Sequence, residues 1–347
     1  MKQRAVIVAP GRGTYNRAEL GYLQRLHPDK SALLHDFDAY RASQGQAALS
    51  ALDGAERYSV AKHTRGDNAS ALIHACALFD FLSIDRERIE IVGVTGNSMG
   101  WYIALTCAGV LGPLEGLKLV NTMGTLMQEH MIGGQIIHPF VDDDWQPIPG
   151  RREEIEARVA EIDARKGHDL ALSIDLGGML VLAGNGRGLD AFEAETPVAH
   201  ERFPMRLHNH AAFHTALQEP VAAQGRKRLP PEGWAQPALP LIDGRGGFWW
   251  PKASDTSALW DYTLGHQVVR PYDFSAAISS AARELMPDLF IVLGPGSTLM
   301  GAVAQSLVLS RWRGWQGKAD FQRANAAGPC LVSMGDEEQR RLVLPQA

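Results

Sequence analysis

The sequence predicts an α/β protein: a large α/β subdomain, residues 1–130 and 205–347, interrupted by a small α+β subdomain at 131–204. Three observations carry this. Short apolar runs at 5–9, 89–94 and 289–293 each end in a Gly-rich turn, as buried parallel strands do. Helical spacing follows the second and third of these turns, giving strand, sharp turn, helix. Between 131 and about 208 the texture changes to strand, helix, strand pair, helix, strand, which suits a small inserted unit.

The elements can be taken in order. Residues 5–9 are apolar and run into Pro10-Gly11-Arg12-Gly13, a strand followed by a turn. That apolar run is too short for a secretory signal core and reads as a first buried strand. Residues 31–53 and 70–83 carry apolar side chains at helical spacing. The β-branched run 89–94 is a second buried strand, and 101–110 and 113–130 are helices. After Gly133-Gly134 come a strand at 135–141, a charged amphipathic helix at 151–166 and strands at 171–176 and 179–183 about Gly177-Gly178. A helix at 187–200 and a strand at 203–208 complete the insertion. Residues 225–258, rich in Pro, Gly and Trp, read as irregular. The strand at 289–293 runs into Gly294-Pro295-Gly296-Ser297 and a helix to about 309. The last 35 or so residues are polar and aperiodic and read as a loosely held tail.

Composition excludes several function classes. Apolar residues make up 45% and charged residues 21% of 347, as in ordinary globular proteins. The net charge of −5 argues against nucleic acid as a partner. No run approaches 18 apolar residues, so no membrane span is expected, and a soluble cytoplasmic protein follows. Cys76, Cys107 and Cys330 are odd in number and widely spaced, which suggests neither a disulfide framework nor a metal site.

Chemistry is concentrated at Gly96-Asn97-Ser98-Met99-Gly100, a G-x-S-x-G pattern directly after a strand and before a helix. A serine on such a turn is pushed out of the fold, and the following helix aims its free N–H groups at the developing oxyanion. A nucleophilic serine needs a base, and 12 histidines are available. His208, His210 and His214 cluster with H-x-H-x3-H spacing, which a metal could use; no acidic or cysteine ligand lies close by. His266 is a further candidate base, which spacing alone does not separate from the others.

Together these pieces resemble the malonyl-CoA:acyl-carrier-protein transacylase family, which includes the acyltransferase domains of fatty-acid and polyketide synthases. The similarity runs over about residues 4–309. The stretch 96–111, GNSMGWYIALTCAGVL, resembles the family's G-H-S-L-G-E-Y-A-A-L…A-G-V-L block, and 212–217, AFHTAL, its A-F-H-S-P-L block. QVVRP at 267–271 resembles Q-x-x-x-P, LGPGSTLMG at 293–301 resembles G-P-G-x-x-L-x-G, and PGRG at 10–13 resembles P-G-Q-G. The resemblance implies a hydrolase-like large subdomain and a ferredoxin-like small one. It implies Ser98 as nucleophile, His214 as base, the Gln267 carbonyl as the group orienting that base, and the backbone N–H groups of Met99 and Arg12 as the oxyanion hole.

Departures from the family pattern are equally specific. Its L-V-x-x-R-G-x-x-M block stands here as LVNTMGTLM at 119–127, so Met123 replaces the arginine that pairs with a malonyl carboxylate. A methionine offers none of a guanidinium's parallel charge-assisted bonds, and an uncharged acyl group is expected: acetyl, or a longer or branched chain. Arg12, in place of glutamine, reads first as an exposed residue used only through its N–H; a side chain meeting a carboxylate is the alternative. Asn97 replaces histidine and Trp101 replaces glutamate, the latter either narrowing the acyl pocket or packing between subdomains. Asp175 occupies an asparagine's place. These four, Met123, Asn97, Trp101 and Asp175, are the candidate substrate-binding residues.

The resemblance implies an acyltransferase working through an acyl-serine, from a coenzyme A thioester to the phosphopantetheine of an acyl-carrier protein, with no resident cofactor and no metal. A monomer is expected. An acidic carrier needs a basic surface, for which Arg226-Lys227-Arg228 and the pair Arg311 and Arg313 are candidates; Asp142-Asp143-Asp144 reads as a solvated loop. An α/β-hydrolase esterase is disfavoured, because no histidine follows His266. A thioester hydrolase on the same fold and a non-catalytic carrier-binding scaffold are the alternatives.

Overall fold

The computed structural model describes residues 2–346. Its larger sheet has six strands in the order β11-β10-β1-β2-β7-β8. β1 (Gln3–Ala9) lies parallel between β2 (Ile89–Gly96) and β10 (Leu289–Val292), at the centre. β11 (Leu331–Ser333) pairs parallel with β10, and β7 (Leu241–Ile242) parallel with β2. β8 (Phe248–Trp249) closes the far edge antiparallel to β7. Residues 5–9 are completely buried, which explains why β1 is apolar without alternation: helices cover both faces. The helix Gly66–Ser83 is buried on nearly every side, and Gly100–Cys107 on all its residues, so neither shows a polar stripe.

The second sheet has five strands in the order β6-β3-β5-β4-β9. β3 (Gly134–Pro139), β5 (Met179–Gly184) and β4 (Leu170–Leu176) pair antiparallel, and β6 (Met205–Leu207) adds antiparallel to β3. The helices Arg151–Asp163 and Gly186–Glu195 cover one face through a core of its own that includes Ile136, Ile155, Ile162 and Phe192. The sheet takes two strands from beyond the C-terminal end of the expected 131–204 segment: β6 follows it directly, and β9 (Tyr272–Asp273) pairs parallel with β4.

Other expectations need correction. The helical stretch 31–53 is two helices, Ser31–Ser43 and Leu49–Asp53, parted where Gly45 takes φ +68°. The helix starting near 187 stops at Glu195, because Thr196 precedes Pro197 and is extended. The irregular segment 225–258 contains β7 and β8, and the helix Glu219–Arg228 runs into it.

The C-terminal stretch is not a loose tail. It contains the helix Lys318–Ala327, the buried strand β11 and the helix Glu337–Arg340. Arg340 Nη1 donates to Asp80 at 2.8 Å and to the Met334 carbonyl at 2.9 Å, tying the end of the chain to the core. No helix of the described residues is long and apolar enough to cross a membrane.

Candidate active site

β2 ends at Gly96, and the chain turns at once into the helix Gly100–Cys107. Ser98 sits on this turn at φ +56°, a left-handed conformation that side chains other than glycine rarely adopt. Glycine is required on either side. A Cβ on Gly96 would meet the backbone of Gly100, and a Cβ on Gly100 would meet the carbonyl of Ala9.

His214 approaches from the segment after β6, also at positive φ, +59°, and its N–H donates to the Val268 carbonyl. Its Nε2 lies 2.7 Å from Ser98 Oγ and its Nδ1 2.6 Å from the Gln267 carbonyl. A carbonyl only accepts, so Nδ1 carries the proton and Nε2 is left to accept from the Ser98 hydroxyl. His214 is 3% exposed. Burial pushes its pKa down to about 4, opposed by the Gln267 carbonyl, so the ring is neutral at neutral pH and Nε2 is free to accept a proton.

Gln267 contributes more than its carbonyl. Its amide donates to the Ser98 carbonyl at 3.0 Å, and Tyr102 donates to its Oε1 at 3.0 Å. The Gln267 residue thus spans the nucleophile's backbone and the base. Sequence reasoning missed Tyr102. It stands in the first turn of the helix that follows Ser98 and lines the inner pocket with it, a placement set by the turn and not by any spacing in the sequence.

Two connected spaces meet at Ser98. An inner pocket of about 20 Å3 is lined by Tyr102, Val120, Gly124, Met127, Phe213 and Val268, with Met99 and Arg12 beside Ser98. An outer cleft of about 380 Å3 opens between the two sheets, bounded by Asn97, Gln135, Ile137, Leu176, His210 and Leu299 among others.

The substrate-binding expectations fare unevenly. Asn97 lines the cleft, with its Oδ1 buried and unpartnered among the described residues. Met123 is buried but lines neither space; it packs toward Gly225, where an added Cβ would come within 2.7 Å of its sulfur. Trp101 is fully buried, donates to Thr263 at 2.9 Å and stands edge-on to Tyr262, so it packs the interior and does not narrow the acyl pocket. Asp175 is held by Arg152 at 2.6 Å and by Ser275, away from both spaces.

Arg12 is not the exposed residue expected first. Its side chain turns inward over the Phe213 ring, 5.5 Å from the centroid, and Nη2 donates to the Asn209 carbonyl at 3.0 Å. Its Nε and Nη1 are buried and have no partner among the described residues. Burial lowers its pKa to about 10, with Asp67 opposing, so it stays charged at neutral pH.

The histidine cluster does not converge. His208 is exposed, and His210 faces the cleft with Nδ1 2.8 Å from Gln135 Oε1. His266 stacks on Tyr262.

No protein-family model matches the chain. The malonyl-CoA:acyl-carrier-protein transacylase of Salmonella typhimurium is 24% identical over 208 residues, 60% of this chain and 63% of that protein. The match therefore spans less than two thirds of that relative. Among solved structures, the acyl-carrier-protein S-malonyltransferase of Burkholderia pseudomallei superposes with a TM-score of 0.74 at 19% identity, covering 99% of both chains. A malonyl-transacylase solved in complex with its type II polyketide-synthase carrier protein gives 0.72 at 18% identity, again over 99% of both. The chain is thus similar in sequence to malonyl-CoA:acyl-carrier-protein transacylases, and it has the fold of the solved ones.

Proposed function

We propose that this protein transfers an acyl group from a coenzyme A thioester to the phosphopantetheine thiol of an acyl-carrier protein through an acyl-Ser98 intermediate. The observation that carries the reading is the relay Ser98–His214–Gln267 at the floor of a cleft between two sheets. His214 Nε2 takes the Ser98 proton as Oγ attacks the thioester carbonyl. The N–H groups of Met99 and Arg12 receive the oxyanion. The carbon–sulfur bond breaks, and His214 returns its proton to the departing coenzyme A thiolate. The carrier thiol then gives its proton to His214 and attacks the ester, and Ser98 leaves with that proton. The small sheet roofs the cleft and limits water, which would otherwise make the protein a thioesterase. The complexed relative supports a carrier protein as acceptor. The basic candidates are largely engaged within the chain: Arg226 pairs with Asp261 at 2.7 Å, and Arg313 donates to the Asp288 carbonyl at 3.0 Å.

In the first reading the acyl group is short and uncharged. The inner pocket is small and mostly apolar, and position 123, packed toward Gly225, sends no arginine into it. A second reading is favoured by Arg12, whose two unpartnered nitrogens beside Ser98 offer a carboxylate a charge-assisted pair of bonds from the opposite side. Loading by acetyl-, butyryl- and malonyl-CoA separates them. The first reading predicts acetyl or butyryl loading that survives Arg12→Gln. A malonyl preference that Arg12→Gln abolishes overturns it in favour of the second.

A further inference from the structure

The relay at Ser98 leaves one titratable side chain of the outer cleft unused. His210 stands four residues before His214, is partly exposed, and lines the cleft together with Asn97 and Gln135. A chain of hydrogen bonds fixes where its proton sits. The Phe213 carbonyl can only accept, so the Ser173 hydroxyl donates to it, at 2.8 Å. That hydroxyl in turn accepts from Gln135 Nε2, also at 2.8 Å. The other end of the Gln135 amide, Oε1, is an acceptor, and His210 Nδ1 lies 2.8 Å from it. Nδ1 thus carries the proton, and Nε2 is left with a lone pair.

Burial, with Arg12 and His208 adding to it, lowers the pKa of His210 to about 3, so the ring is neutral at neutral pH. Nε2 has no hydrogen-bond partner among the described residues, and it is not sealed from the surface. It is turned toward the loop after β1: a Cβ on Gly13, which also lines the cleft, would lie 3.9 Å from it. Much of the remaining lining is apolar, including Ile137, Ile174, Leu176, Val181 and Leu299.

A thioester held at Ser98 has an acyl side and a thiol side. The inner pocket, of about 20 Å3, suits the acyl group, which leaves the outer cleft, of about 380 Å3, for the thiol arm. That arm is pantetheine in coenzyme A and in a carrier protein alike. Its hydrogen-bond donors nearest the sulfur are two amide N–H groups, and each needs an acceptor once it leaves water. Arg12 can only donate, and Gln135 Oε1 is already taken. His210 Nε2 is the open acceptor.

We infer that His210 is a substrate-binding residue that accepts a hydrogen bond from an amide N–H of the pantetheine arm, of coenzyme A in the first step and of the carrier protein in the second, and so holds the sulfur in register with Ser98. The inference rests on the acyl transfer proposed above. A merely structural part for His210 would act through Gln135, Ser173 and the Phe213 carbonyl on the neighbouring His214, and would affect every thioester alike.

The test removes the donor from the substrate and the acceptor from the protein. The probes are S-acetylpantetheine and its analogue with ester oxygens in place of both amide N–H groups. The readout is kcat/KM for acetylation of Ser98, followed by intact mass on the full-length protein. The wild type is expected to favour the amide probe about five- to tenfold, the worth of one hydrogen bond. His210→Phe is expected to bring the amide probe down to the level of the analogue and to leave the analogue unchanged. His210→Gln, which keeps an acceptor, retains most of the difference. The same contrast is expected in the second step, with pantetheine and its ester analogue as acceptors. The wild-type comparison alone remains decisive should His210→Phe fail to fold. A wild type indifferent to the two probes, or a His210→Phe variant that slows both equally, would overturn the inference while leaving the acyl-serine reading in place. No acetylation of Ser98 by either probe, with none from acyl-CoAs, would overturn both.

Discussion

Ser98 and His214 both hold positive φ, a conformation that costs a non-glycine residue about 1–3 kcal/mol, and the surrounding structure imposes it on both. The strain aims Oγ and Nε2 at each other across 2.7 Å. Because burial keeps His214 neutral down to about pH 4, acyl loading measured on folded protein is expected to be flat between pH 7 and 5 and to fall only near 4. An inflection near the ordinary histidine value of 6.5 would show that the base is not the buried ring described. At this scale the G-x-S-x-G pattern marked Ser98, because it encodes the turn, whereas His214 and the Gln267 carbonyl came from the family resemblance alone, spacing having left several histidines open. Where a side chain points is a different matter. Met123, Trp101 and Asp175 stand at pocket positions by analogy, yet packing against Gly225, Tyr262 and Arg152 draws each away. Arg12 moves the opposite way, from an expected surface position to the lip of the inner pocket.

Among the elements, long apolar runs and helices were legible because burial on both faces writes itself as composition: 5–9, 89–94 and 113–130 all match strands or helices closely. Apart from β6, the strands of two or three residues were not. β7, β8, β9 and β11 are too short to show a period, and their pairing depends on partners far along the chain. The C-terminal stretch illustrates the consequence. Its polar composition hides Arg340, whose side chain is 5% exposed against a fully buried Asp80 that also holds His27 and Tyr22. Removing one member of a buried pair leaves the other charge uncompensated, which costs about 3–5 kcal/mol. Arg340→Ala is therefore expected to lower the urea midpoint substantially while leaving the Ser98–His214 geometry intact; an unchanged midpoint would mean that the terminus is held by β11 alone.

The whole molecule places its reactive pair where two sheets meet, the larger providing the turn and the smaller the roof. The alternation of elements showed that a second unit was present and that the strand at 203–208 belongs to it, but its sheet also draws β9 from far along the chain, a sharing that no local pattern records. Burial at this scale also sets a pH dependence. His74, His138 and His214 are pushed down to about 4 and His210 to about 3, each chiefly by desolvation. Between pH 6.5 and 4 the unfolded chain binds more protons than the folded one, so stability rises with pH there and is lost on acidification. Each ring that must be protonated adds to the loss, so acidification through this range weighs against the folded state. Urea unfolding at pH 7.5, 5.5 and 4.5 should show falling midpoints; a constant midpoint would mean that these rings are solvated.

The central claim is an acyl-serine at position 98, and intact mass spectrometry after incubation with a panel of acyl-CoAs tests it most directly, with wild type, Ser98→Ala and His214→Ala side by side. A stable mass gain of one acyl group in the wild type, absent from both variants, is the expected result. Release of coenzyme A without a mass gain would make the protein a hydrolase. A mass gain that persists in Ser98→Ala would contradict the account outright.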